Sequence, residues 1–139
     1  MTQGPIIIIE DDKDDQDIYA EIIKELQIPN PLRFFSNGLD GLNYLLTTSE
    51  QPFVILSDIN MPIMNGLELK EKIQADDFLR QKGIPFIFIS TNASPVAVLK
   101  AHLLSVQGYF MKPASYSAVR AMLTRIFDYW EHCKHINNR

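Results

Sequence analysis

The sequence predicts an α/β domain in which five short strands alternate with five helices around a parallel sheet covered on both faces. Three observations predict it. Short apolar runs recur along the 139 residues, stretches with apolar residues at helical spacing separate them, and the connections are only a few residues long. Runs without polar alternation mark strands buried on both faces. Right-handed crossovers then set every strand's carboxyl end on one rim, where open α/β sheets bind their ligands.

Ile6, Ile7, Ile8 and Ile9 make the first strand, which stops at residues 10–17, where six of eight are acidic. Asp14, Asp15 and Asp17 precede the helical spacing Tyr19, Ile22, Ile23, Leu26 and suit an N-cap and first turn, where the helix dipole favours negative charge. Glu10 and Asp11 come too early for that role and stand at the strand's carboxyl end. A calcium-binding EF-hand loop is excluded, since its mid-loop glycine is missing and the helical pattern begins at once. Leu32, Arg33, Phe34 and Phe35 form a second, less apolar strand near an edge, and Asn37 caps a helix with Leu39, Leu42 and Leu46 turned inward.

Phe53, Val54, Ile55 and Leu56 form the third strand, and a carboxylate, Asp58, appears where the apolar run stops. After a loop through Asn60, Met61 and Pro62, Asn65 caps a helix burying Leu69 and Ile73. Residues 76–83 read as a polar helix end and turn. The fourth strand, residues 85–89, stops at Ser90, Thr91 and Asn92, and Ser94-Pro95 is an N-cap followed by proline at the first helical position. Val96, Leu99, Leu103 and Val106 are predicted to line that helix. Gly108, Tyr109, Phe110 and Met111 form the fifth strand, ending at Lys112-Pro113. Ser115 caps a last helix with Tyr116, Val119, Leu123, Ile126 and Trp130 on its apolar stripe; Phe127 and Tyr129 lie off it and are candidates for a partner or homodimer face.

Composition narrows the function. Hydrophobic content of 46% and charged content of 22% are ordinary for one globular domain. A net charge of −4 without a basic run argues against direct nucleic-acid binding. One cysteine forms no internal disulfide, and the amino terminus has neither a signal-peptide pattern nor a membrane span, so a reducing, cytoplasmic setting is expected. His132, Cys133 and His135 do not match a zinc motif and read as a helix-end tail.

Four strand ends deliver Glu10/Asp11, Asp58, Ser90/Thr91 and Lys112 to one rim. Two carboxylates about 4 Å apart at an effective dielectric near 20 repel by about 4 kcal/mol, so a cation or a retained proton must relieve them. Lys112 offers one charge. All-oxygen ligands without nearby His or Cys point to Mg²⁺ or Mn²⁺ for the rest. A carboxylate nucleophile, a hard metal, a lysine and a hydroxyl together suit phosphoryl transfer through an acyl phosphate.

Glu10-Asp11, Asp58 with Met61-Pro62 and Gly66, Ser90, and Tyr109 with Lys112-Pro113 resemble, in order and spacing, the receiver domain of two-component response regulators. The resemblance spans about residues 5–130. It implies the flavodoxin-like, doubly wound sheet of order 2-1-3-4-5. By the same resemblance Asp58 is the phosphoacceptor, and Asp11, Asp58 and the Asn60 backbone carbonyl bind Mg²⁺, with Glu10 helping through a water. Lys112 neutralises the phosphoryl oxygens, Ser90 hydrogen-bonds the phosphoryl group, and Tyr109 turns inward in response, altering the face of the fourth helix, fifth strand and fifth helix. The Lys112–Pro113 peptide is cis in the family.

Thr91 stands where the family usually has Ala or Gly, and its larger side chain is expected to narrow access to Asp58. Asn65 replaces the usual Asp before Gly66, and Leu104 to Gln107 replace a commonly Gly-containing stretch before the fifth strand. Residues 131–139 are too short for an output domain, so residues 1–139 are expected to be a single receiver. Its expected partners are a sensor histidine kinase or histidine phosphotransfer protein and a downstream protein of unknown identity. It is expected to catalyse only its own phosphorylation and dephosphorylation. The alternative is a receiver-like module that no longer cycles phosphate and serves as a constitutive binding surface. A haloacid-dehalogenase-type phosphatase is disfavoured because Asn60 stands where its second Asp is needed. An FMN-binding flavodoxin is disfavoured by the acidic cluster where a phosphate loop belongs.

Overall fold

The computed structural model describes residues 4–134. The chain runs β1 (Ile6–Ile9), α1 (Lys13–Glu25), β2 (Leu32–Phe35), α2 (Gly38–Thr47), β3 (Val54–Ser57), α3 (Gly66–Ala75), α4 (Asp77–Lys82), β4 (Phe86–Ser90), α5 (Pro95–Leu103), β5 (Gly108–Met111) and α6 (Tyr116–His132). All strand pairs are parallel and the order is β2-β1-β3-β4-β5, with the less apolar β2 at an edge. This is the fold class that the sequence predicts.

Strand alternation sorts the core into two layers. Ile6 and Ile8 pack with Tyr19, Ile22, Ile23, Leu123 and Ile126 of α1 and α6 on one face. Ile7 and Ile9 pack with Leu42, Leu45, Leu69, Ile73 and Ala101 on the other. Each fully buried Ile or Leu contributes about 1.5–3 kcal/mol, so strands of only four or five residues still anchor firmly. Four of the predicted caps form: Asn37, Asn65, Ser94 and Ser115 each accept a hydrogen bond from the backbone N–H three residues on. Such a cap is worth about 1 kcal/mol.

Four expectations are corrected. Among the described residues there are six helices rather than five, because residues 76–83 are not a mere turn. Asp76 ends α3 and caps α4, Leu79 is buried beneath α4, and Gly83 closes it in the left-handed region at φ 61°. In α2 the inward residues are Leu42 and Leu45, while Leu39 and Leu46 are exposed; Gly38 and Gly41 let the helix lie against Met64 and Ile9, which rotates the stripe. In α6 Phe127 is buried, so of the two aromatics off the predicted stripe only Tyr129 faces solvent, and Tyr116 is exposed as well. The largest correction is α5, where Val96, Leu99 and Leu103 are 56–70% exposed while Ala97 and Ala101 face the sheet. That helix is apolar on two faces, and the small face allows the closer approach to the sheet. Val106 does pack partly against the core, as predicted.

Gly66 fixes where the carboxyl end of β3 meets α3. Its N–H donates to the Ile59 carbonyl at 2.8 Å, and a Cβ there would collide with the Asp58 carbonyl oxygen and the Phe88 ring. Among the described residues no helix is long and apolar enough to cross a membrane.

Candidate functional site

The rim at the carboxyl ends of β1, β3, β4 and β5 collects most of the residues singled out in the sequence. β1 ends directly at Glu10, whose side chain is 2% exposed and whose N–H donates to the Phe35 carbonyl at 2.9 Å. Asp58 follows β3, its N–H donating to the Ile9 carbonyl at 2.9 Å and its carboxylate accepting from the Ile59 N–H at 2.7 Å. These ladder bonds hold both acids in register. Ligand oxygens of Glu10, Asp11 and Asp58 lie within 4.8 Å of one another, with Asp11 exposed at the mouth.

Lys112 reaches into this cluster from the end of β5, where its N–H donates to the Ser90 carbonyl at 2.8 Å. Its Nζ lies 2.7 Å from Glu10, 2.9 Å from Asp15 and 3.4 Å from Asp58. The carboxylates around it hold its pKa above the usual lysine value against the opposing effect of burial. Glu10 shares that single ammonium while almost wholly removed from water. Burial therefore pushes its pKa up to about 7, against the hydrogen bonds from Lys112 and the Asp12 N–H.

Asp15 also reaches this rim, although the sequence reads it only as an N-cap or first-turn acid of α1. The N-cap is in fact Asp12, which accepts from the N–H groups of Asp14 and Asp15, and Asp17 pairs with Lys13 at 2.7 Å on the surface. The turn so set carries Asp15 against Lys112, 97 residues away. Tyr19, one turn further along α1, is buried behind Glu10 and Asp58, and its hydroxyl has no hydrogen-bond partner among the described residues. The fields of Glu10, Asp15, Asp58 and Lys112 all reach that hydroxyl.

Ser90 is fully buried at the end of β4, and its Oγ accepts from the Asn92 N–H at 3.1 Å. Thr91 beside it is exposed at the mouth, and Asn60 is exposed in the loop after Asp58. Tyr109 packs its ring 5.8 Å from that of Phe88 and donates its hydroxyl to the Asn92 carbonyl; burial and then the Asp58 charge raise its pKa. Ser90 and Tyr109 thus meet at one residue of the β4–α5 loop. The Lys112–Pro113 peptide, expected to be cis, is trans, and no peptide bond among the described residues is cis. The trans form is intrinsically preferred by about 0.5–1 kcal/mol, and with it Lys112 already reaches its three carboxylates. His132 and Cys133 sit at the end of α6, where His132 lies 3.5 Å from Asp128, and neither belongs to a metal-holding group among the described residues; His135 lies outside the described residues.

The donor set fits a hard divalent cation. It is all oxygen, carries more negative charge than Lys112 can offset, and opens to water on the Asp11 side, as Mg²⁺ prefers.

Comparison with known proteins agrees with this geometry. The response regulator receiver domain family matches residues 6–124. Chemotaxis protein CheY-3 of Vibrio cholerae serotype O1 is 28% identical over 124 residues, 88% of this chain and 91% of that protein. Among solved structures, the phosphorylated cyanobacterial phytochrome response regulator RcpA superposes with a TM-score of 0.87 at 24% identity, covering 96% of this chain and 97% of that one. The Mn²⁺-bound form of response regulator Rcp1 superposes with a TM-score of 0.84 at 25% identity, covering 95% and 97%.

The raised Glu10 pKa sets a pH dependence for the metal-free chain. Between 4.5 and about 7 the folded protein keeps a proton that the unfolded chain has released, so stability falls as pH rises through that window. Urea unfolding in the presence of EDTA should show this slope, and Glu10→Gln should remove most of it. An unchanged slope in the variant would place the titrating group elsewhere.

Proposed function

The chain belongs to the response regulator receiver domain family, and from that membership we propose that it is a phosphorylation-controlled switch with Asp58 as the phosphoacceptor. The observation that carries the proposal is Lys112 held among Glu10, Asp15 and Asp58 at the mouth of an all-oxygen acid cluster. One Asp58 carboxylate oxygen attacks the phosphorus of a phosphohistidine on a sensor kinase or phosphotransfer protein. The P–N bond breaks, its electron pair returns to the imidazole, and an acyl phosphate is left on Asp58.

Mg²⁺, or Mn²⁺ as in the Rcp1 structure, would be held by Asp11, Asp58 and the Asn60 carbonyl, with Glu10 reached through a water, and would neutralise charge on the phosphoryl oxygens. Lys112 exchanges its Asp58 oxygen for a phosphoryl oxygen without leaving the rim. Ser90 gives up the Asn92 N–H and turns its hydroxyl to the phosphoryl group. Because Tyr109 also bonds to Asn92, that exchange reaches the aromatic ring and then the face of α5, β5 and α6. Val96, Leu99, Leu103 and Met111 are exposed there, a set of apolar side chains suited to a downstream protein. This reading keeps the chain a switch in the cytoplasm that catalyses only its own phosphorylation and dephosphorylation.

Incubation with acetyl phosphate and Mg²⁺ should add the mass of one phosphoryl group to the wild type and none to Asp58→Asn. A wild type without that gain would favour the constitutive binding module instead. Asp15→Asn removes one competitor for Lys112 and one negative charge facing the anionic donor. It should speed acetyl phosphate labelling about threefold to tenfold, an effect of about 1 kcal/mol on the barrier; a slower or unchanged rate would mean that Asp15 does not restrain Lys112. Thr91→Ala should speed both labelling by small donors and loss of the phosphoryl group, and unchanged rates would remove Thr91 as the gate.

A further inference from the structure

At the opposite end of the sheet from the acidic rim, the amino ends of β4 and β5 border a cavity of about 380 Å³. Phe86 on its wall and Ser90 on the rim are four residues apart along β4, about 13 Å at strand rise. The two sites are separate. Leu45, Ile55, Ile73, Leu79 and Phe86 supply the apolar floor, and among the described residues no carboxylate lines the cavity.

Into it projects Lys70, from the middle of α3 and only 6% exposed. The sequence reading passed over this residue. Its Nζ stands 5.6 Å from the centre of the Phe86 ring, and among the described residues it has no hydrogen-bond or ion-pair partner. A buried charge without a counter-ion is costly, and every other strongly buried charged group of the core is paired: Glu10 has Lys112. Burial alone lowers the Lys70 pKa, with no carboxylate to oppose it. Gln74, one turn along the same face, also lines the cavity, and its side-chain amide forms no hydrogen bond to the described residues. The other cationic group of the lining, Arg80, is already bound to Asp77 and to the Gln74 carbonyl. The cavity therefore presents one positive charge without a counter-ion and one free amide donor, over a floor of sealed apolar side chains that includes Phe86.

We propose that this cavity is a second ligand site, separate from the phosphorylation site, for a small organic monoanion: a carboxylate on a flat apolar body. The carboxylate takes one hydrogen bond from the Lys70 ammonium and one from the Gln74 amide, and the apolar body lies along the half-exposed Ile84, above the sealed Phe86, Ile55 and Leu79. A single ammonium matches one charge, which distinguishes this chemistry from that of a phosphate dianion. The volume falls within the ordinary range for small-molecule sites.

The test uses the full chain and sodium benzoate as probe, with benzyl alcohol as its uncharged counterpart, at constant ionic strength. Amide chemical shifts should move saturably with benzoate at Lys70, Gln74, Phe86 and Gln107, while benzyl alcohol binds at least about tenfold more weakly. Lys70→Met keeps the stem and removes the charge; it should fold, take up phosphoryl groups like the wild type, and bind benzoate at least about tenfold more weakly, the loss of about one charge-assisted hydrogen bond. Absence of saturable benzoate binding to the wild type, or equal binding of benzoate and benzyl alcohol, would overturn the proposal without recourse to any variant. Equal benzoate affinity in Lys70→Met would overturn it too.

Discussion

One ammonium group facing three carboxylates is the constraint on which the acidic rim depends. Lys112 lies within 3.4 Å of Glu10, Asp15 and Asp58, and Asp11 adds a fourth carboxylate beyond its reach. No arrangement of one lysine satisfies that set, so the site is held with an excess of negative charge. The backbone ladder keeps it assembled: Asp58 is fastened to Ile9, Glu10 to Phe35 and Lys112 to Ser90 through main-chain bonds that no change of side-chain charge can break. A site under electrostatic tension on a rigid frame responds to added cation or added phosphoryl by moving side chains, not strands.

The path outward from that site is short. Ser90 and Tyr109 both bind Asn92, one through its N–H and the other through its carbonyl, so the β4–α5 loop is pinned from the site on one side and from β5 on the other. Beyond the loop lies α5, which meets the sheet through Ala97 and Ala101 and turns Val96, Leu99 and Leu103 outward. The small residues Ala97 and Ala101 are the buried residues of α5. Its exposed apolar residues are those that a partner would bury. The same economy is absent on the far face, where α1 and α6 bury large side chains against Ile6 and Ile8.

The strand-end residues were legible because the sheet allows them few alternatives. A parallel strand buried on both faces must be apolar until it leaves the core, so Glu10, Asp58, Ser90 and Lys112 announce themselves by where the apolar run stops. Helix faces were less legible. In α5 both the Val96/Leu99/Leu103 and the Ala97/Ala101 spacings satisfy a helical period, and only the distance to the sheet decides between them. Asp15 was legible as a first-turn acid, yet its contact with Lys112 spans 97 residues and follows from the angle at which α1 leaves β1. Lys70 gave no signal at all, because a lysine between Leu69 and Glu71 reads as a solvent-facing helix position.

By itself the sequence determined most of the alternation of strands and helices, four of the helix caps, and the set of acids, hydroxyl and lysine at the strand ends, since local propensity and the pattern of apolar residues act over short stretches of chain. Tertiary structure alone decided which carboxylates Lys112 touches, which face of α5 is buried, that residues 77–82 form a helix of their own, and that Lys70 ends in a cavity without a counter-charge. Each of these depends on the distance and angle between elements far apart in the chain. Those quantities are set by packing, and the run of Phe53 to Asp58 is the clearest case: the sequence marks its tip, but only the fold brings to it the carboxylates that follow β1, its neighbour, and the lysine that follows β5, two strands away.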